Sequence, residues 1–366
     1  NISGRILIVI KMLRSLFGKH PRIYLLGAYG YGNIGDEACR VVATEEIKKM
    51  FPEVKIEAHH GMLRPIVKRG KCRINTKRYI ACIAGGGGFL YDYVTPANDN
   101  LGYYLGAMKK FIDADKPVYL IGVGTQGKFT TRGQRLIKKV LDRCDLITVR
   151  SNEAKFDLIK CGVKKEIWNS ADLAFLLEPD KKDRSSEPFL ISETSQKIGI
   201  GISVDTLGDS VRVYHPGFNE KIPPLLKKLG LKYKLLFYVF DPRFDLNFAK
   251  GGLLIKDTDP KKFLYKVKFV DSMISTRYHG LVFSLLRGIP CISIADHGDK
   301  KHRLIKRIRY PWMIRYDEIS SEKILDKIHQ IFQEKYYKPW VQWKRELQKS
   351  AKLSFDLLRE MLEKWL

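Results

Sequence analysis

Residues 22–37 read RIYLLGAYGYGNIGDE, and the fold is decided by how this stretch is read. A short apolar run bounded by glycine has the length of a buried strand. Strand 22–26 ends in a glycine-rich turn, and residues 37–50 read as a helix. Strand, turn and helix in that order open a βα unit. The rhythm continues with expected strands at 54–58, 79–84, 118–123 and 146–149. Expected helices fall at 104–112, 131–141 and 152–160. Buried strands alternating with helices form a parallel sheet covered on both faces.

A polar stretch from Glu178 to Pro188 then reads as a linker, after which the rhythm restarts. Strands are expected at 197–202, 233–240, within 269–275 and at 291–295. Helices are expected at 218–229, 260–267, 280–286, 322–333 and, at greater length, 340–366. The fold class is therefore α/β, with two Rossmann-like domains whose parallel sheets face a cleft. The boundaries are 1–178 for the first domain, 179–196 for the linker and 197–339 for the second. Segment 340–366 is a long C-terminal helix that can pack back on the first domain. Ligands of open α/β sheets bind beyond the carboxyl ends of the strands.

A length of 366 residues suits two domains of ordinary size. With 45% apolar and 29% charged residues the composition is globular. The formal net charge of +26 concentrates anions near the surface. Basic residues gather at Arg64, Lys68, Arg69, Lys71, Arg73, Lys77 and Arg78, and again over 300–309. Nucleic acid is not an expected partner, because no recognition helix, zinc spacing or aromatic–basic stacking motif is visible. The six cysteines form no CxxC pair, so neither a metal site nor a disulfide framework is expected. A reducing, cytoplasmic location fits them. The run 6–17 is too short to span a bilayer. It reads as a packing helix or as a basic amphipathic helix on a membrane surface.

Four motifs can carry chemistry. The first is the turn 27–37, in which Gly30, Gly32 and Gly35 have dinucleotide-site spacing and Glu57 sits at the distance of a ribose contact. Asp36 and Glu37, however, put negative charge where a pyrophosphate would lie, and the plain alternative is a tight turn with Asp36 as helix cap. The second is the run Gly85, Gly86, Gly87, Gly88 after a strand. Its backbone cost implies close approach of a substrate or of the opposite domain. The third is Arg150, at a strand's carboxyl end, where a guanidinium can grip a carboxylate or phosphate. The fourth is Ser275-Thr276-Arg277-Tyr278-His279-Gly280, with Arg277 as an oxyanion ligand and His279 as a proton-transfer group.

Together with Ala171-Asp172-Leu173-Ala174-Phe175, these motifs resemble the polysaccharide pyruvyl transferase family in order and spacing. The resemblance runs from about residue 22 to about residue 300. It implies a GT-B-like arrangement and transfer of a pyruvyl group from phosphoenolpyruvate to a sugar of a cell-surface polysaccharide or its lipid-linked precursor. It also implies a basic residue after the last long strand. Here that segment reads Ala295-Asp296-His297-Gly298-Asp299-Lys300-Lys301, and Lys300 and Lys301 both qualify.

The mechanism expected from these residues places Arg150 and Arg277 on the carboxylate and phosphate of phosphoenolpyruvate, with Lys300 or Lys301 on the leaving phosphate. His279 and Asp172 are the catalytic pair, Asp172 either accepting a hydroxyl proton or orienting an arginine. Gly32, Asn33, Gly35, Asp36, Gly86 and Gly87 line the substrate site. No cofactor is expected beyond the donor substrate, and the partners are phosphoenolpyruvate and a glycan acceptor. A nucleotide-sugar glycosyltransferase is the alternative, and a dinucleotide oxidoreductase and a catalytically idle relative are weaker ones.

Overall fold

A computed structural model describes residues 20–59, 74–92, 94–95, 98–126, 128–180, 199–204, 217–249, 252–333 and 338–365. The amphipathic run 6–17, most of the first basic cluster and most of the expected linker lie outside the described residues. The chain forms two compact units. The first comprises Asn1–Tyr31, Asp36–Leu176 and Leu347–Leu366, and the second comprises Gly32–Gly35 and Leu177–Glu346.

In the first unit the elements run β1 (Arg22–Leu26), α1 (Ile34–Met50), β2 (Lys55–Ala58), β3 (Ala81–Gly85) and α2 (Asn100–Ile112). They continue with β4 (Val118–Val123), α3 (Thr131–Leu141), β5 (Leu146–Val149), α4 (Asn152–Lys160) and β6 (Trp168–Asn169). The six strands form one sheet in the order β6-β5-β4-β3-β1-β2. Every pairing in it is parallel. Central strands β3, β4 and β5 are buried along their whole length, as a sheet covered on both faces requires. Helix starts are set by short polar caps. Asp99 accepts from Gly102 N at 2.9 Å, Thr130 from Gly133 N at 3.1 Å and Ser151 from Ala154 N at 3.2 Å. Strand β4 has one residue more than β5 between their paired positions. This bulge sits at Gly122, whose φ of 58° is left-handed and whose N–H bonds Thr148 Oγ1 at 2.8 Å.

The second unit holds β7 (Gly199–Ser203), α5 (Phe218–Lys232), β8 (Lys234–Tyr238), β9 (Leu253–Ile255), α6 (Pro260–Lys266) and β10 (Ser272–Ser275). It continues with α7 (Tyr278–Arg287), β11 (Cys291–Ile294), α8 (Lys300–Ile308), β12 (Met313–Ile314) and α9 (Ser321–Gln333). Its sheet is also parallel throughout, in the order β9-β8-β7-β10-β11-β12. The basic cluster 300–309 thus becomes the amphipathic helix α8, with Leu304, Ile305 and Ile308 buried.

The last helix, α10 (Lys338–Leu362), is about 37 Å long at 1.5 Å per residue. Its segment from Leu347 onward belongs to the first unit. There Leu347, Ala351, Phe355, Leu358 and Leu362 form one buried stripe at helical spacing. Ser354 hydroxyl bonds Thr148 and Ser170 at 2.7 Å each. Lys352 donates to Glu46 Oε2 of α1 at 2.5 Å. No described helix is long and apolar enough to cross a membrane.

In both sheets the strand order reverses at one place, between β1 and β3 in the first and between β7 and β10 in the second. Such a reversal leaves a crevice beyond the carboxyl ends of the strands that flank it. The glycine turn follows β1, the glycine run closes β3, and Ser275 to His279 follow β10. Three of the four motifs therefore stand at the switch points.

Candidate functional site

In the first unit, the turn after β1 is folded around its own side chains. Tyr29 is buried and its hydroxyl donates to Gly85 O. Gly30 N–H donates to Glu37 Oε1 at 2.5 Å, and Arg40 Nε donates to Glu37 Oε2 at 2.6 Å. The first anion that this turn binds is thus its own glutamate. The helix starts at Ile34, three residues before the expected position, because Asn33 Oδ1 accepts Gly35 N–H at 3.0 Å. Asn33 therefore takes the capping place that the sequence offered to Asp36, which lies in the first turn instead.

The glycine run is bare for reasons internal to the unit. Gly86 and Gly87 have φ of 72° and 78°, which glycine adopts without strain. A Cβ on Gly86 would strike the Cys39 side chain, and one on Gly87 would lie 2.7 Å from Asp36 Oδ1. The run is the floor on which α1 packs. Crowding of this kind accounts for both residues without the substrate contact expected of them.

Arg150 extends from the end of β5 across this floor. A Cβ on Gly88 would lie 3.1 Å from its Nη2, and one on Gly124 would overlap the guanidinium. Its Nη1 donates to Asp172 Oδ2 at 2.7 Å, and both side chains are nearly closed to solvent, 4% and 0% exposed. Asp172 Oδ1 accepts from Ala174 N at 3.0 Å and from Cys39 Sγ at 3.2 Å. Burial, with the charges of Asp172 and Asp36, pushes the Cys39 thiol well above its ordinary range, so it serves as a neutral donor. Asp172 is thus bound on both oxygens and closed to solvent. Of the two roles read for Asp172, orienting an arginine is the one its bonds fit.

The second unit repeats the device. Arg277 precedes α7, and its Nε and Nη2 donate to Asp245 Oδ1 at 2.9 and 2.5 Å. Asp245 Oδ2 in turn accepts Phe240 N and Asp241 N at 2.8 and 2.9 Å. The guanidinium also lies 5.8 Å from the Phe244 ring centre. In each unit an arginine just past the carboxyl end of a strand is thus held against a buried aspartate that at least one backbone N–H fixes in turn. Sequence reading missed Asp245, which lies 32 residues from its partner in a segment without a motif.

His279 occupies the first turn of α7, half-buried against Tyr278 and Phe283. A Cβ on Gly35 would overlap its ring, so Gly35 is small to admit His279. Gly32, Asn33 and Gly35 belong with this unit, and Ile34 N–H donates to Phe240 O at 2.8 Å. The structure therefore gathers Gly35, Arg277 and His279 at one edge of the second unit. Asp36, Gly86, Gly87, Arg150 and Asp172 gather at the corresponding edge of the first.

The two candidate lysines separate. Lys301 is fully buried. Its Nζ donates to Thr276 O at 2.6 Å and Tyr316 Oη at 3.2 Å, and pairs with Asp299 Oδ2 at 2.9 Å. It pins the loop that carries Arg277, and a leaving phosphate cannot reach it. Lys300, its neighbour, is half-buried.

No curated protein matches the sequence. Among solved structures, UDP-GlcNAc 2-epimerase from Methanocaldococcus jannaschii aligns with a TM-score of 0.56 at 11% identity, over 93% of this chain and 99% of its own. The Anabaena protein HepE, solved with UDP and glucose, gives 0.55 at 10% identity over 94% and 100%. UDP-GlcNAc 2-epimerase from Neisseria meningitidis gives 0.54 at 10% identity over 93% and 100%. At such identities the likeness establishes the fold, which is of the GT-B type with two Rossmann-like units. The profile of the polysaccharide pyruvyl transferase family matches residues 33–298, a span that opens inside the first motif, holds the other three and covers the greater part of the chain. The chain belongs to the polysaccharide pyruvyl transferase family.

Proposed function

We propose that the protein transfers the pyruvyl group of phosphoenolpyruvate to two hydroxyls of one sugar in a cell-surface glycan or its precursor, forming a ketal and releasing phosphate. The observation that carries this reading is the repeated arginine–aspartate pair at the ligand-binding edge of each sheet. A donor with both a carboxylate and a phosphate needs fixed guanidinium groups, and the aspartates hold these two in place before any ligand arrives.

In this scheme Arg277 binds one anionic group of the donor and Lys300 meets the departing phosphate. Arg150 is the anion-binding residue of the first unit, oriented by Asp172. C3 of the enol takes a proton, which makes C2 electrophilic. A sugar hydroxyl adds to C2, the C2–O bond to phosphate breaks, and a second hydroxyl closes the ketal. One of the two hydroxyl protons is balanced by the new methyl hydrogen, and the other leaves with phosphate or solvent. His279 is the proton-transfer group. Such a group contributes about 10²–10⁴ in rate, so His279→Ala should lower turnover by a comparable factor with folding intact. Near-normal turnover would remove it from the scheme.

The decisive assay incubates the purified protein with phosphoenolpyruvate and a panel of glycan acceptors, reading released phosphate and product mass. The second reading is a nucleotide-sugar transferase, favoured by the fold shared with a protein solved with UDP and glucose. Fold alone does not fix chemistry, and release of UDP without phosphate from phosphoenolpyruvate would replace the first reading with this one.

A further inference from the structure

The second unit contains a cavity of about 620 Å³ that the proposed chemistry does not use. Val270 and Asp271 precede β10, residues 288–290 precede β11, and Trp312 precedes β12. The cavity therefore opens at the amino ends of these strands, the edge opposite Arg277 and His279. Its remaining wall comes from the end of α7, the end of α9 and the first turns of α10.

Two features of the lining define what would fit. The body is apolar and aromatic, with Trp312 and Trp340 6.0 Å apart between ring centres and Phe332 and Val341 partly exposed at 39% and 51%. A volume of this size lies inside the usual range for small-molecule sites, about 300–1,000 Å³. The polar groups are almost all donors. Arg287 Nε and Trp340 Nε1 are both buried without a hydrogen-bond acceptor among the described residues. Trp340 as a whole is only 6% exposed. Arg287 forms no ion pair with any described residue, and burial lowers the affinity of its guanidinium for a proton, with Tyr265 and Glu178 opposing. Lys268 and Lys344 also line the cavity, against the single acid Asp271. Asp271 Oδ2 already accepts Gly199 N–H at 2.8 Å, and Lys344 Nζ caps Leu286 O at 3.1 Å. Buried donors without acceptors in a native structure call for an explanation, since each carries a desolvation cost.

We propose that this cavity is a second ligand site, selective for amphiphilic anions: one acidic head beside Arg287 and Trp340 Nε1, and an apolar body along Trp312, Ile331 and Val341. The single acceptor-bearing head would satisfy both stranded donors, and the three cations favour a negative charge over a neutral polar group. The site is independent of the pyruvyl-transfer reading and stands or falls apart from it.

The test uses the full chain and three soluble probes below their aggregation limits: decanoate, decyl phosphate and decan-1-ol. Binding is followed by calorimetry and by tryptophan emission, to which Trp312 and Trp340 report. The expected result is one site per chain for both anions, with decan-1-ol at least about tenfold weaker. Arg287→Gln should weaken the anions about tenfold or more and leave decan-1-ol unchanged. Val341→Trp should block all three by filling the mouth, and circular dichroism of both variants should match the parent. Arg277→Ala should leave probe binding untouched. Equal affinity for decan-1-ol and decanoate, or decanoate binding that survives Arg287→Gln, would overturn the proposal. So would binding to anionic vesicles with none to the soluble probes, which would make the face a membrane contact.

Discussion

Asp172→Asn is the most informative single change, because the two roles read for this residue predict opposite outcomes. The substitution keeps the volume and an acceptor for Ala174 N–H and Cys39. It replaces the oxygen 2.7 Å from Arg150 Nη1 with an amide N–H₂, so donor meets donor. Both side chains are almost fully enclosed. Removing one partner of a buried ion pair costs about 3–5 kcal/mol, chiefly from the charge left behind. For a domain of this size that is a fall of about 6–20 °C in melting temperature, at about 2–4 °C per kcal/mol. Urea denaturation followed by circular dichroism gives the free energy, and phosphate release under identical conditions gives turnover. A companion double variant, Arg150→Met with Asp172→Leu, should recover most of the stability and none of the turnover, since an apolar pair can replace a buried ion pair. A stability loss under about 1 kcal/mol for Asp172→Asn, the scale of a surface pair, accompanied by a large loss of turnover, would refute the orienting role and restore a direct catalytic one.

Three other outcomes follow from the geometry. Lys301→Met removes the buried anchor of Thr276 and strands Asp299, so it should destabilise the second unit by about 3 kcal/mol or more, whereas Lys300→Ala should leave the melting temperature within about 2 °C and raise KM for phosphoenolpyruvate; similar melting curves for both would contradict the assignment. Burial would push the Glu46 carboxyl up, but hydrogen bonds from Lys352 and Lys49 outweigh it and hold it below its ordinary value. Its contribution is therefore full above about pH 4.3 and fades as pH falls through the lower folded value; with Lys352 41% exposed it amounts to about 1 kcal/mol or less. The stability gap between parent and Glu46→Gln should be constant above about pH 4.3 and close as pH falls below it, and a gap that persists into acid would sink the idea. Burial raises the Cys161 thiol to about 11 and that of Cys291 to about 12, and raises Cys39 and Cys144 as well. Native protein at about pH 8, well below these values, should therefore react with a thiol reagent at no more than one cysteine, and rapid labelling of several would show that the core opens.

The βα rhythm was legible because central strands are apolar runs between glycines and caps. Strands 22–26, 118–123 and 146–149 and helices 131–141 and 152–160 stand where the sequence put them. The short edge strands β6, β9 and β12 were not legible. They have two or three residues each, and Trp168, Leu253 and Leu254 are partly exposed, so no buried run marks them. Helix α2 starts four residues before its expected position because Asp99 caps it. Arg150, Asp172, Arg277 and His279 stood out because their motifs sit at strand ends. Asp245, Cys39 and Gly124 did not, because what recommends them is a contact made across the sheet, which spacing along the chain cannot encode. The glycine run was visible as an anomaly, but its cause, the packing of α1, needed coordinates.

The enclosure of both arginine side chains has a thermodynamic consequence for ligand capture. A solvent-exposed arginine gives up about 2 kcal/mol of rotamer freedom when it is fixed. Here that loss falls on the folding equilibrium, and the aspartates underwrite it. Calorimetry of an anion binding beside Arg277 should consequently report little unfavourable entropy from the side chain itself. On the proposed reading the same stiffness would narrow the choice of donor, because a guanidinium that cannot swing cannot follow a larger or differently shaped anion.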